Sequence, residues 1–247
     1  MCELFATSAG YHYTAQEYLP LFADKARDNM SGWGIGFFRD GQVVIEKSQE
    51  EVFSGDQIHD SFNRLARVID SRIILSHIRC PKSGHRKESH AQPLADEFLD
   101  HHWLFIFTGE AANLPGYQST RPLMQEPLLA ARVFEFVRDG MEACLAGHPH
   151  QSLYQVLART CKRMLAQYPG EYMFFLANET VLFAFHNHSQ VLTYQNPEAR
   201  GDLLILTTVT GGLTSHPENW CSFSQEDPQR GQILIISGAD LLYMGHL

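Results

Sequence analysis

Two periodicities of apolar residues alternate along this chain, and the switches between them mark its elements. Residues 2–8 open with an apolar run that predicts a strand. Thr14 followed by Glu17 has the form of a capping box, and Tyr18, Leu19, Leu21, Phe22 and Ala26 then recur at helical spacing, which predicts a helix over about 15–28. Met30 to Phe38 passes through Gly32-Trp33-Gly34-Ile35-Gly36 into a strand. Asp40-Gly41 is a hairpin signal, and Val43-Val44-Ile45 returns antiparallel. A short helix is expected over about 56–68. Residues 72–79, Arg-Ile-Ile-Leu-Ser-His-Ile-Arg, predict a strongly apolar strand that ends on a charge. Residues 80–101 read as a polar loop rich in His, Pro and Lys, long enough to suspect function. Trp103 to Phe107 reads as a strand stopped at Thr108-Gly109.

The second half begins with helices. Glu126-Pro127 puts proline at a first helical position, and Leu129, Val133, Phe136, Val137, Met141 and Cys144 follow at helical spacing. A second helix is predicted over about 151–167, with Leu153, Val156, Leu157, Cys161 and Met164 on one face. Strands are expected at 171–177 and 180–186, joined at Asn178-Glu179, then near 203–209, 232–236 and 241–244. Strands, two long helices, then strands again predict an antiparallel α+β layered fold. No internal repeat, low-complexity segment or Gly/Ser linker divides the chain, so one domain over 1–247 is expected.

Composition narrows the function classes. A hydrophobic content of 44% and an aromatic content of 11% can build a sizeable core. A net charge of −9 without a basic block argues against a nucleic-acid partner. No apolar run reaches the roughly 18–20 residues of a membrane span, and the first ten residues lack the basic and apolar regions of a signal peptide. A cytoplasmic protein with no membrane partner is therefore expected. The five cysteines (Cys2, Cys80, Cys144, Cys161, Cys221) are scattered, which suits reduced thiols better than a disulfide framework or a zinc site. His186-Asn187-His188 and His101-His102 are expected to be solvated loop histidines, with no metal and no cofactor.

The candidate chemistry sits at residue 2. Cys2 follows the initiator Met and leads straight into an apolar strand. Once Met1 is removed, the chain would begin with a thiol and a free α-amine on one residue. The amine, with an ordinary pKa near ~7.7–8.0, can move the proton for an attacking thiol. Cys2 as a buried small residue is the alternative.

Taken together, several stretches resemble the class II (N-terminal cysteine) glutamine amidotransferases of the short stand-alone type. They are Met1-Cys2-Glu3-Leu4, Gly32-Trp33-Gly34-Ile35-Gly36-Phe37, His77-Ile78-Arg79, Pro93-Leu94, Trp103 to Gly109, Leu213-Thr214 and Glu218-Asn219-Trp220. The resemblance implies a four-layer αββα sandwich of two antiparallel sheets, the N-terminal nucleophile hydrolase fold. It implies that Cys2 attacks a glutamine or γ-glutamyl side-chain amide, forms a γ-glutamyl thioester and releases ammonia or an amine. Arg79 is the expected clamp for the substrate α-carboxylate, since a guanidinium fork suits a carboxylate. Gly32 and Trp33 match a segment that abuts the nucleophile, and the Gly109 amide is an expected oxyanion donor. A separate ammonia-accepting subunit is one expected partner, simple hydrolysis the other reading.

Four positions depart from the family pattern. Thr108 stands where an Asn side chain donates to the oxyanion. The Asp that binds the substrate ammonium falls on Pro127, or on Glu126 if the register slips by one. Gln92 replaces a His, and Pro81 an Ala. Two expectations follow: a substrate other than free glutamine, or a catalytically impaired relative acting as a binding or regulatory module on the same fold.

Overall fold

A computed structural model describes residues 2–26, 32–79, 90–125, 128–195, 202–223 and 230–247. The first half contains β1 (Glu3–Thr14), α1 (Tyr18–Lys25), β2 (Trp33–Arg39), β3 (Gln42–Ser48), a two-residue ribbon of β4 (Phe53–Ser54) and β5 (Gln57–Ile58), α2 (Asp60–Val68), β6 (Asp70–Ile78), β7 (Leu94–Phe98) and β8 (His101–Glu110). The second half contains α3 (Leu129–Gly147), α4 (Leu153–Gln167), β9 (Glu171–Ala177), β10 (Leu182–His186), β11 (Leu192–Gln195), β12 (Leu203–Thr207), β13 (Trp220–Phe223), β14 (Gln232–Ser237) and β15 (Asp240–His246).

The large strands form two antiparallel sheets. One has the order β13-β11-β12-β1-β6-β2-β3, the other β15-β14-β10-β9-β8-β7. Their strands are apolar on both faces because both faces are covered. Leu4 and Ala6 of β1, Leu75 of β6, Ile106 of β8 and Phe175 of β9 meet in a core between the sheets. The alternate residues point outward. Phe5, Trp33, Ile35 and Ile74 pack under α1 and α2, while Phe105, Phe107, Phe174 and Leu176 pack under α3 and α4. The result is the expected α+β sandwich of four layers, αββα. No helix among the described residues is long and apolar enough to cross a membrane.

Several expected boundaries move. β1 runs on to Thr14, so Thr14 caps nothing; α1 starts after Glu17, which makes no side-chain cap. The ribbon of β4 and β5 delays α2 to Asp60. The stretch expected to be loop up to residue 101 contains β7, which buries Leu94 and Phe98 and pairs with β8. β8 itself continues through Thr108 and Gly109 to Glu110. The start of α4 carries a capping box, with Ser152 and Gln155 exchanging side-chain and backbone bonds.

Candidate active site

One end of the sandwich opens into a cavity of about 610 Å³. The first sheet brings Cys2, at the mouth of β1, together with His77 and Arg79 at the end of β6. The second sheet brings Phe107 to Glu110 of β8, Gly170-Glu171 at the start of β9 and His188-Ser189 beyond β10; His90, Gln92 and Leu128 to Ala130 complete the lining. Of the expected site residues, Cys2, Arg79, Thr108 and Gly109 therefore border one space. Glu126, together with Pro81 and Pro127, lies outside the described residues.

Strand pairing explains the convergence. Glu3 lies opposite Ile78 in the β1–β6 ladder, so Cys2 and Arg79 occupy the next positions of the same two strands. The strand behind Cys2 is tightly held. Leu4 N–H donates to Thr208 Oγ1 at 2.9 Å, while Thr208 N–H and the Thr207 hydroxyl both donate to the Leu4 carbonyl at 3.1 Å. The Thr208 hydroxyl in turn donates to the Glu3 carboxylate, which also accepts from Gln190 Nε2 at 3.1 Å. Burial raises the Glu3 carboxyl above its ordinary pKa, although these two donors oppose the shift.

Gly32 and Trp33 do not line the cavity. The Gly32 carbonyl accepts the Arg79 N–H at 2.9 Å and so fixes the backbone of Arg79. Gly32 has φ +107°, and a Cβ there would stand 2.8 Å from the Ser48 carbonyl oxygen, so glycine is required. Trp33 lies on the opposite face of β2, edge-on to Phe62 of α2 at 5.2 Å. The expectation that Trp33 abuts the nucleophile is corrected: strand alternation turns it into the outer core.

Across the cavity, Gly109 has φ +153°, and a Cβ would come within 2.2 Å of the Glu171 carbonyl oxygen. Thr108 is 6% exposed and shares the inter-sheet face with Leu104 and Ile106. Glu110 and Glu171 lie directly opposite on β8 and β9, which places two carboxylates side by side on the lining. Glu171 Oε2 accepts from Ser189 Oγ at 3.0 Å and lies 3.6 Å from His188 Nε2. His188 Nδ1 accepts the Gln190 N–H at 2.9 Å, so the neutral ring carries its proton on Nε2, toward Glu171.

The expected solvation of the His186-Asn187-His188 run is also corrected. His186 is buried against Gln232 at 2.7 Å, and Asn187 clips the start of β9 through the Tyr172 N–H and the Gly170 carbonyl, each at 2.8 Å. His188, 5% exposed, faces the cavity. Among the described residues no group of three or more His, Cys, Asp or Glu side chains is placed to hold a metal ion. Sequence reasoning did not select Glu171, His188, Ser189, Thr208 or Leu128 to Ala130 for the site. Only the His-x-His run carried a local signal; the others arrive through sheet pairing.

The lining thus combines a thiol at the chain start, one guanidinium, a cluster of oxyanion-capable donors and a pair of carboxylates. Comparisons with known proteins address the family and the fold. A family model described as "Glutamine amidotransferases class-II" matches residues 1–203. A curated Mycobacterium tuberculosis protein, gamma-glutamyl-hercynylcysteine sulfoxide hydrolase, is 29% identical over 162 residues, which span 63% of this chain and 66% of that protein, just under two thirds of its length. Among solved structures, a "predicted glutamine amidotransferase" from Pseudomonas aeruginosa PA01 superposes with TM-score 0.61 at 19% identity, covering 98% of this chain and 100% of that one. The glutamine phosphoribosylpyrophosphate amidotransferase of B. subtilis superposes with TM-score 0.62 at 15% identity, covering 100% of this chain and 49% of that one. At these identities the structural matches speak for the fold alone.

Proposed function

The chain belongs to the class II glutamine amidotransferases, and from that membership we propose that Cys2, freed of Met1, is the nucleophile of an amide-cleaving reaction on glutamine or a γ-glutamyl amide. The thiolate sulfur bonds to the side-chain carbonyl carbon as the thiol proton passes to the Cys2 α-amine. The Gly109 N–H, aided by the Thr108 hydroxyl, meets the oxyanion. Collapse breaks the C–N bond, the α-amine returns the proton to the leaving nitrogen, and a γ-glutamyl thioester remains. Water, giving a proton to the α-amine, then adds to the thioester carbonyl carbon; the C–S bond breaks, the α-amine returns the proton to the Cys2 sulfur, and glutamate is released. Arg79 takes the substrate α-carboxylate in its fork. Glu171, backed by Glu110, supplies the anion for the α-ammonium that the departure at residues 126–127 leaves without its family partner.

The observation that carries this reading is that Cys2, Arg79 and Gly109, far apart in the chain, border one cavity. Its volume is that of a pocket for a ligand of drug size, more than a glutamine side chain fills. That supports a γ-glutamyl amide with a bulky leaving amine, the substrate class in the name of the M. tuberculosis relative, and such a hydrolysis needs no ammonia-accepting subunit. One observation favours a second reading, a binding or regulatory module: Thr108 offers a shorter donor than the family Asn, and losing such a donor costs about 10²–10³ in turnover.

The deciding experiment is intact-mass analysis after treatment with a diazo-ketone glutamine analogue. We expect a chain lacking Met1 that gains one adduct, lost in Cys2→Ala. A processed chain that gains no adduct overturns the enzymatic reading. A panel of γ-glutamyl amides then ranks leaving groups against glutamine.

A further inference from the structure

The side-chain amide of Gln92 is buried and fully engaged. Its Oε1 accepts the Phe107 N–H at 2.6 Å, and its Nε2 donates to the Phe107 carbonyl at 3.0 Å. A backbone N–H can only donate, so the orientation of the amide is fixed without ambiguity. The second N–H of Nε2 faces His77 Nε2 at 3.4 Å.

Both contacts have a reason in the strands. β7 pairs with β8 from Leu94 opposite Phe105, and the ladder would next need residue 92 opposite Phe107. Pro93 intervenes and has no N–H to give. The Gln92 side chain stands in for the missing strand residue and satisfies both backbone groups of Phe107. The close approach is possible because β2 has glycine beside it: a Cβ on Gly34 would stand 2.0 Å from the Gln92 carbonyl oxygen.

The contact also selects a tautomer. Burial, reinforced by the Arg79 and Lys47 charges, lowers the His77 pKa to about 3, so the ring is neutral. His77 Nδ1 has no hydrogen-bond partner among the described residues, so the Gln92 contact alone decides which nitrogen is bare. A nitrogen that receives a donor must be the acceptor.

We propose that Gln92 is a positioning residue: its amide holds the end of β8, and with it the Thr108-Gly109 donors, while keeping His77 in the Nδ1–H tautomer beside Cys2. The catalytic part of this proposal rests on the reading of Cys2 as nucleophile; the tautomer does not. Thr108 is the residue after Phe107, so any slack at Phe107 moves the oxyanion donors directly.

Histidine ring 15N NMR of the wild-type protein tests the first part without any activity. We expect the His77 signals to show a protonated Nδ1 and a bare Nε2, constant from pH 5 to 8. Gln92→Glu presents a carboxylate acceptor instead and should switch the proton to Nε2. A wild-type ring protonated on Nε2, or on both nitrogens, overturns the proposal. Kinetics test the second part. Gln92→Leu should slow both adduct formation at Cys2 and kcat for γ-glutamyl-p-nitroanilide by about tenfold, with KM within twofold, because donor placement and not substrate binding is lost. Unchanged kcat in a Gln92→Leu protein of lowered thermal stability would reduce Gln92 to a structural residue. If the wild type forms no adduct at all, the nucleophile reading fails while the NMR result still judges the tautomer.

Discussion

His77 and Glu3 stand on neighbouring strands behind Cys2, and burial pushes their pKa values in opposite directions. Each thereby favours its neutral form, which keeps uncompensated charge away from the thiol. The linkage signs differ. Between about 3 and the ordinary 6.5, the unfolded chain binds a proton at His77 that the folded chain refuses, so stability rises with pH across that window. The slope approaches ~1.4 kcal/mol per pH unit. Glu3, with its pKa raised, contributes stability that is present below its ordinary 4.5 and lost as pH rises through the folded value. Denaturant unfolding at pH 4, 5 and 7 checks the larger effect. His77→Gln should lose most stability relative to wild type at pH 7 and progressively less toward pH 4; a gap constant with pH would refute the buried neutral imidazole. At the cavity lining, Glu171→Gln should raise KM for glutamine by about tenfold with kcat little changed, since a charge-assisted bond to the ammonium becomes neutral. The same variant should lose the wild-type preference for glutamine over its deamino analogue. A preference that survives intact would move the ammonium away from Glu171.

At the level of elements, β2 shows how a motif gains meaning only once its faces are known. Gly34 and Gly36 turn toward the second sheet, where Gln92, Pro93 and Leu104 press against them. Trp33, Ile35 and Phe37 turn the other way, into the core under α1 and α2. Gly34→Ala would drive a Cβ into the Gln92 backbone, which cannot yield, and should cost about 3 kcal/mol. Gly36→Ala meets Leu104 and Pro93 side-chain carbons at 2.9–3.0 Å and should cost less. Thermal denaturation of the two variants checks that order, and equal losses would mean that the 90–93 segment is free to move. The same strand shows what was legible beforehand. The apolar runs of β1, β2, β6, β8 and β9 followed from burial on both faces of each sheet, and the apolar stripes of α3 and α4 from burial on one; neither needed a partner to be recognised. β7, Leu-Ala-Asp-Glu-Phe, carries only two large apolar residues, Leu94 and Phe98, and becomes a strand by pairing with β8. β11 and β13 are four-residue strands near one edge of the seven-stranded sheet, too short for a period to register. In the site, Cys2, Arg79, Thr108 and Gly109 lie within local motifs and could be named from them. Glu171 could not, because only the β8–β9 pairing carries it to the cavity, and the His-x-His run at His188 pointed to solvent instead.

On the scale of the whole molecule, the outer helical layer is tied to the cavity chiefly around the buried Arg138. The Arg138 side chain of α3 is 1% exposed. Its guanidinium meets Asp96 of β7 at 2.6 Å, Asp139 at 2.7 and 2.8 Å, Ser119 at 2.7 Å and the Arg121 carbonyl at 2.6 Å. Asp139 in turn accepts from Tyr117 and Ser119, and Glu135 accepts the Leu123 N–H at 2.7 Å. The segment between β8 and α3 is thereby bound to α3, whose first residues line the cavity. Arg138→Ala leaves the partly buried Asp139 carboxylate without its cation and Asp96 with only the exposed Arg121 at 3.4 Å, which should cost about 3–5 kcal/mol, far more than an exposed ion pair. Adding Asp139→Asn to Arg138→Met should recover part of the loss, because the penalty comes from stranded charge and not from lost volume. The functional consequence should appear in binding before chemistry: Leu128 to Ala130 line the cavity, while the proposed nucleophile Cys2 and the proposed donors Thr108 and Gly109 sit on the two sheets. We therefore expect Arg138→Met/Asp139→Asn, assayed below its melting range, to raise KM severalfold while the rate of adduct formation at saturating label stays near wild type. A fall in that saturating rate with KM unchanged would mean instead that the helical layer holds the catalytic strands themselves in place.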